Sequence, residues 1–512
     1  MSARAQGGWL LRLPLILTLW AISSLSMLLP AAVALIMDDE AQARVFFYSA
    51  LLGMIFATIV ALAIANRPAR FGAAGQLISL MATFLLLPVY LALPVSDSLT
   101  TTTYLNAYLD MVSALTTTGL NLFKDPSRLS DALHLWRAMV GWMGGLLMWV
   151  AASAILAPMS LGGFEVTARG APGTEVQAGG PGQARAIDVQ MRLWSVTLTL
   201  TPIYATLTGV MWILLMIAGD TTLVALCHAM SVMATSGISP VNGIENSVSG
   251  LTGEAILFLF MFFALSRLTF SKDTVSHGYG RLDKDPEFRI ALLIVIGVPI
   301  LLFLRHWISI YDVETASGFE VAGRAFWGAM FTVMSHLTTT GFVSSEWETA
   351  QMWSGLGTTG LILLGLALIG GGVATTAGGV KLLRVYALYL NGLREMERLV
   401  HPSSVSGAGM TSRRIQRDGA FIAWVFFMLF GLSLALITVV LAAFEVSFEQ
   451  ALVLAVASLS TTGPLVDTAL DEPIRVLELG TGPKLIICVA MVLGRLETLA
   501  IVALLTPNLW RT

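Results

Sequence analysis

One short motif recurs four times along this chain, and each copy lies in the same kind of apolar setting. The copies read Thr116-Thr117-Thr118-Gly119, Ala234-Thr235-Ser236-Gly237, Thr338-Thr339-Thr340-Gly341 and Ser460-Thr461-Thr462-Gly463. Aligned on the glycine, the residue two places earlier is always Thr, and the residue just before it is Thr or Ser. The glycines lie 118, 104 and 122 residues apart. Recurrence at a period of about 110 residues signals internal repetition. A single Thr-Thr-Gly is ordinary turn chemistry. Four registered copies in an apolar chain predict one ring of loops around an axis. Backbone carbonyls and Thr hydroxyls in such a ring can replace the water around a monovalent cation.

The setting is a membrane. Of 512 residues, 56% are hydrophobic and only 12% charged, about half the charged share of a soluble domain. Apolar stretches long enough to cross a ~30 Å hydrocarbon core fall near 9–37, 45–65, 74–95, 132–158, 193–218, 251–270, 288–310, 352–390, 419–444 and 479–505. The first, from Trp9 to about Met37, reads as a retained span because no small-residue cleavage site ends it. The 352–390 stretch is too long for one straight span and carries glycines at its middle. Shorter apolar segments near 103–117, 222–235, 324–338 and 447–461 each end in the motif. Their length fits a re-entrant half-helix, and the loop after it must be buried in protein or reached by water. The expected fold is therefore an all-α polytopic membrane protein. Two extra helices (1–70) precede four units of span, half-helix, filter loop and span, at 71–160, 190–275, 286–395 and 418–512.

Charge sets the orientation. With the motif loops placed outside, outer segments carry 8 Lys/Arg and inner segments 20, with Arg495 alone inside a span. The positive-inside rule agrees with that placement. Acidic residues divide the other way, 21 outside and 10 inside, with Glu497 in a span, so the outer mouth would concentrate cations.

Enzymatic chemistry finds no foothold. The six histidines form no His-x-x-x-His face, neither a His-Glu-x-x-His nor a Gly-x-Ser-x-Gly motif occurs, and Cys227 and Cys488 lie in separate apolar segments. Two cysteines make no disulfide framework or Cys-based metal site. The expectation is a protein that is not an enzyme, with no organic cofactor and no nucleic-acid partner.

Three constellations carry the transport reading. Each half-helix would point its C-terminal dipole, about −0.5 charge, at the centre, and Gly119, Gly237, Gly341 and Gly463 are expected at φ > 0. Neutral oxygen ligands suit a monovalent ion near Thr117, Gly119, Thr235, Gly237, Thr339, Gly341, Thr461 and Gly463, and chemistry alone separates K+ from Na+ only weakly. Next, Gly370, Gly371, Gly372, Thr375, Thr376, Gly378, Gly379 and Lys381 sit in the middle of the long span of the third unit. Five glycines in ten residues should unwind the helix, although close helix packing through small residues is a second reading. Lastly, Arg495 is a charge inside the last span, which costs at least ~2.5–3.5 kcal/mol and usually faces a cavity. A structural ion pair is the other reading, for which Glu497, two residues on, is poorly placed. Asp110, in the first half-helix, would either brace the filter or line the outer vestibule.

Ala114-Leu115-Thr116-Thr117-Thr118-Gly119, His336-Leu337-Thr338-Thr339-Thr340-Gly341-Phe342, Thr376-Ala377-Gly378-Gly379-Val380-Lys381 and Met491-Val492-Leu493-Gly494-Arg495-Leu496-Glu497 followed by Thr506-Pro507-Asn508-Leu509-Trp510 together resemble the Trk/Ktr/HKT superfamily of potassium transporters. The resemblance covers the whole chain, and the two leading spans favour the TrkH type over the KtrB type. It implies K+ uptake across the bacterial inner membrane, as the transported ion, with an intramembrane loop and an arginine gating the pore. It also implies a homodimer with one pore per subunit and a cytosolic TrkA-type nucleotide-binding ring, the nucleotide being held by that partner. Docking is expected on Arg267, Lys272, Arg281, Lys284, Arg394, Arg398, Arg413, Arg414 and Arg417, which topology alone would also explain. The sequence departs from the family pattern around Trp142-Met143-Gly144-Gly145-Leu146-Leu147, and at Ala374, where glycine is usual. An ion-coupled K+/H+ or K+/Na+ symporter, or a poorly selective Na+/K+ pathway, remain alternatives; paired inverted repeats would mark the symporter, whereas these loops recur on one side.

Overall fold

The computed structural model describes residues 13–64, 73–158, 161, 163, 183–266, 285–308, 319–401 and 417–497. All regular structure among them is helical. Helices α1 (Leu15–Ser26), α2 (Leu28–Ile36) and α3 (Glu40–Ile64) form the leading pair of spans, the first interrupted at Met27. The first unit comprises α4 (Ala73–Leu91), its short continuation α5 (Leu93–Ser98), half-helix α6 (Tyr104–Leu115) and α7 (Asp131–Ala151). The second comprises α8 (Gln183–Ile217), α9 (Thr222–Ala234) and α10 (Gly250–Met261). The third holds α11 (Pro286–Ile308), α12 (Phe319–Leu337), α13 (Trp347–Ser354), α14 (Thr359–Ile369) and α15 (Leu382–Val400). The fourth holds α16 (Arg417–Ala442), α17 (Phe448–Leu459), α18 (Leu465–Thr468) and α19 (Thr481–Leu496).

The packing closes a ring. The inner helix of each unit lies against the half-helix of the next: α7 on α9, α10 on α12, α14 on α17, and α19 back on α6. Each half-helix is therefore held between its own unit and a neighbour. α2 packs on α7 and α1 on α4, which fixes the leading helices to the first unit. The buried Tyr90 hydroxyl donates to the Ser49 carbonyl at 2.9 Å across that contact. Lipid-facing sides keep their apolar residues exposed, as at Ile59 and Leu62 of α3 and Leu432, Leu436 and Val439 of α16.

Seven described helices are long and apolar enough to cross a membrane. The other three expected spans differ in form. The helical run Gly250–Ala264 is shorter than a full span, and α19 is described only to Leu496. The expected 352–390 span is divided twice. Between α13 and α14 the chain turns through 117°, where Gly355 ends α13 at φ 60°. Between α14 and α15 it unwinds from Gly370 to Lys381. The third half-helix is also longer than the ~14 residues expected, with 19. Its added turns are exposed, with Phe319 99% exposed and Arg324 paired with Glu320 one turn away at 3.0 Å.

Candidate functional site: four loops and an intramembrane strand

The four motif loops share one backbone design. Each half-helix ends with a residue in the left-handed region, and that residue is the invariant Thr of the motif: Thr117 (φ 55°), Thr235 (51°), Thr339 (58°) and Thr461 (54°). The amide of the next residue reaches back to a carbonyl five residues earlier, Thr118 to Ser113 at 2.8 Å, Ser236 to Ser231 at 2.9 Å, Thr340 to Ser335 at 2.9 Å and Thr462 to Ala457 at 2.9 Å. This is the Schellman helix end, in which glycine normally takes the left-handed position. A β-branched residue there is strained and persists only where its surroundings over-determine it.

The expectation that all four glycines take positive φ holds for three of them. Gly119, Gly237 and Gly341 do, at 67°, 66° and 83°, but Gly463 does not. Pro464 follows it, and a proline restricts the residue before it. Gly463 is instead required by proximity. Its amide donates to the Thr118 carbonyl at 2.6 Å, and a Cβ there would lie 2.4 Å from the Leu120 nitrogen. A Cβ on Gly119 would sit 1.7 Å from the Ser236 carbonyl oxygen, and one on Gly237 would sit 2.3 Å from that of Thr340. One on Gly341 would meet Pro464 at 2.9 Å. The loops thus crowd one axis with backbone against backbone.

The hydroxyls divide by position. In three copies the first and third hydroxyls bond to each other: Thr116 with Thr118 at 2.8 Å, Thr338 with Thr340 at 3.0 Å and Ser460 with Thr462 at 3.1 Å. In the second copy Ala234 has no hydroxyl, and Ser236 shares a hydrogen bond with Ser231 at 3.2 Å. The middle Thr stands apart. The hydroxyls of Thr117 and Thr461 are buried with no hydrogen-bond partner. Thr235 donates to the Ala234 carbonyl at 2.7 Å, and Thr339 accepts the Gly378 amide at 2.8 Å. Two unpaired buried hydroxyls among crowded carbonyls form a donor set for a weakly hydrated cation.

Above the loops a cavity is lined by Gly119, Gly237, Gly341 and Pro464 and by Asn121, Asn242, Glu245 and Asp467. Burial raises both carboxyls above the usual carboxylate range; Lys124, 3.4 Å from Asp467, opposes the rise there. Asp110 is not in that mouth. It is 1% exposed and pairs at 3.0 Å with Arg137 of α7, which itself lines the cavity, so it braces α6 against α7.

Below the loops lies the strand 370–381. It enters at Gly370 (φ 73°) and leaves at Lys381 (φ 83°), with Ala374 at φ 58°, where the departure from glycine costs strain. Its ends zip together, Val380 to Leu368 and Lys381 to Ile369 at 2.9 Å each. Among the described residues its middle is tied to the second, third and fourth units. The Gly372 amide donates to the Ala264 carbonyl at 3.0 Å, the Thr376 hydroxyl to the Met233 carbonyl at 3.3 Å, and the Val373 amide to Glu287 at 3.1 Å. A Cβ on Gly378 would lie 2.1 Å from the Ser460 carbonyl oxygen. Arg495 donates to the Thr376 carbonyl at 2.6 Å, while its Nε and other terminal nitrogen are buried without partners. Among the described residues Arg495 has no acidic partner. Glu497 pairs instead with Arg384, whose guanidinium also lies 3.6 Å from the Phe426 ring centroid.

Sequence reading missed two bracing carboxylates. Glu254, 2% exposed, accepts from Trp327 Nε1 at 2.9 Å, Ser344 Oγ at 2.6 Å and the Ser345 amide at 2.7 Å, which links the second unit to the third. Asp220 accepts from the Ser247 hydroxyl at 2.6 Å and the Ser249 amide at 2.9 Å. An acid inside an apolar helix was the available signal for Glu254. Of the basic docking set, Arg267, Lys272, Arg281, Lys284, Arg413 and Arg414 lie outside the described residues, as do the side chains of Arg398 and Arg417 and the segment Thr506–Trp510.

Residues 44–511 match the family model TrkH, described as a cation transport protein. The Trk system potassium uptake protein TrkH of Halomonas elongata is 31% identical over 410 residues, 79% of this chain and 79% of that protein. The TrkI protein of the same organism is 25% identical over 509 residues, 98% of this chain and 97% of the relative. The crystal structure of the potassium transporter TrkH from Vibrio parahaemolyticus has a TM-score of 0.73 at 25% identity, covering 97% of this chain and 98% of that one.

Proposed function

Because this chain belongs to the TrkH family of cation transport proteins, we propose that it takes up K+ across the bacterial inner membrane through a channel-like pore, with Thr116–Gly119, Ala234–Gly237, Thr338–Gly341 and Ser460–Gly463 as its selectivity filter. The single observation that carries this reading is the set of four loops with a left-handed Thr, crowded on one axis, two of whose hydroxyls are buried and unpaired. A cation entering from the acidic mouth at Glu245 and Asp467 sheds water and takes these oxygens in exchange. The strand 370–381 then stands in its way, and Arg495 holds that strand while placing a fixed positive charge beside the path. Opening requires the strand to leave Met233, Thr339 and Arg495. Charge distribution supports a filter mouth facing outside. The names of the relatives support a multi-component Trk system, in which we place a homodimer and a cytosolic TrkA-type nucleotide-binding ring acting on the inner helix ends. The units 71–160, 190–275, 286–395 and 418–512 are the pore-forming divisions of this proposal.

The test is growth of a K+-uptake-deficient bacterium at low external K+, together with flux into liposomes holding the purified protein. Rescue, and downhill K+ flux that needs no second ion, support the reading. Flux that occurs only with a H+ or Na+ gradient would move the protein to the coupled symporters.

A further inference from the structure

The segments that leave the filter loops are not held alike. In the first unit the Leu120 amide, next after Gly119, donates to Ser113 Oγ at 2.7 Å, so the exit is tied at once to its own half-helix. Ser335 stands at the same register before Gly341 as Ser113 does before Gly119. Its hydroxyl is buried with no hydrogen-bond partner. The third exit therefore lacks the early tie that the first one has. Its Phe342 and Val343 line the mouth cavity beside Gly341.

Among the described residues the first hydrogen bonds of this exit fall at Ser344 and Ser345. The Ser344 amide donates to Thr332 Oγ1 of α12 at 3.2 Å. Three more bonds run to another unit, all of them to Glu254 of α10. Its Oε2 accepts from Ser344 Oγ at 2.6 Å, and its Oε1 accepts from the Ser345 amide and hydroxyl at 2.7 Å each. A fourth, from Trp327 Nε1 at 2.9 Å, holds Oε2 against the half-helix. Glu254 is 2% exposed, and no lysine or arginine among the described residues pairs with it. Burying a carboxyl in an apolar helix is costly unless hydrogen bonds compensate it. Here they all come from the third unit, and three of the four from its filter exit. A carboxylate accepts through both oxygens, so it alone among side chains of this shape can hold all four donors.

We propose that Glu254 is a positioning residue for ion selection. By fixing Ser344 and Ser345 it sets where the third loop presents Gly341 to the ion. This rests on the cation pathway proposed above.

The test measures K+ and Na+ flux in liposomes holding the full chain, beside the Tm of the purified protein. Glu254→Gln keeps the shape but replaces an acceptor oxygen by a donor nitrogen, so part of the donor set loses its partner. Its K+/Na+ ratio should fall about tenfold, or 1.4 kcal/mol. Ser344→Ala with Ser345→Ala removes two donors from the exit and should lower the ratio too. Trp327→Phe removes the one donor outside the exit; it should lower Tm and leave the ratio unchanged. If Glu254→Gln fails to fold, the double serine variant decides. An unchanged ratio in the deciding variant overturns the proposal. So does an equal fall in Trp327→Phe, which would make Glu254 a brace between helices and no more. A parent that carries no K+, or passes both ions equally, fails the pathway and this proposal with it.

Discussion

The filter loops and the strand beneath them are both irregular backbone at membrane depth, yet they are held in opposite ways. Each filter loop is fixed chiefly from within, by the amide that returns five residues to its own half-helix and, in three of the four, by the bonding of its first and third positions. The strand 370–381 zips its ends together, but its middle is fixed by other segments, at Met233, Ala264, Glu287, Thr339 and Arg495. A self-capped loop keeps its shape when a neighbour moves. A strand held by neighbours is released when they separate. On the function proposed above, the first suits selectivity and the second suits switching.

The most severe way to break this comparison is at the filter backbone. In Gly119→Ser the new Cβ meets a carbonyl oxygen at 1.7 Å in a left-handed conformation. We expect K+/Na+ discrimination in liposome flux to fall by at least about tenfold, or 1.4 kcal/mol. Unchanged ratios in the serine variants of all four glycines would refute the ring. Next is the brace behind it. Asp110→Ala strands Arg137 in a buried site, a loss of about 3–5 kcal/mol, read as a lower Tm of the purified protein. Replacing both partners by apolar residues should recover much of it. A Tm unmoved by Asp110→Ala would show that the pair bears no load.

A smaller effect is expected below the filter. Arg495→Ala removes a tie and a charge from the strand but leaves the filter intact. Basal K+ flux should rise about tenfold with selectivity unchanged. Flux equal to the parent in a folded variant would make the strand a packing element and Arg495 its brace. The smallest effect belongs to the mouth. Glu245 and Asp467 have raised pKa values, so they lose their charge at a higher pH than ordinary carboxylates as the outer solution is acidified. Uptake at low K+ should fall with external pH by less than about fivefold, since a unit charge at ~4 Å in water is worth about 1 kcal/mol. Glu245→Gln with Asp467→Asn should flatten that dependence, and a slope equal to the parent's would exclude both groups.

Much of this architecture was legible because bilayer crossing imposes length and motif repetition imposes register. The leading spans, four half-helices and break near Gly370 all follow from those two signals. The left-handed Thr residues were not legible. Thr is unfavourable in that conformation, so local preference pointed to the glycine two places on, and it pointed wrongly for Gly463, which precedes Pro464 and has no positive φ. The turn between α13 and α14 carries a breaker signal, Ser354-Gly355-Leu356-Gly357, that the expectation of one apolar stretch from 352 passed over, and the extra length of α12 was hidden by a polar entry that hydropathy cannot place. Asp110 and Glu254 needed three dimensions, since their partners lie on other helices 27 and 73 or more residues away.

The central claim is that the four loops form one cation site. Rb+ or Tl+ in place of K+ during structure determination tests it most directly. The account predicts anomalous density on the axis among Thr117, Thr235, Thr339 and Thr461 and their glycines, above the strand 370–381. Density elsewhere in the chain, or none at saturating ion, would contradict it.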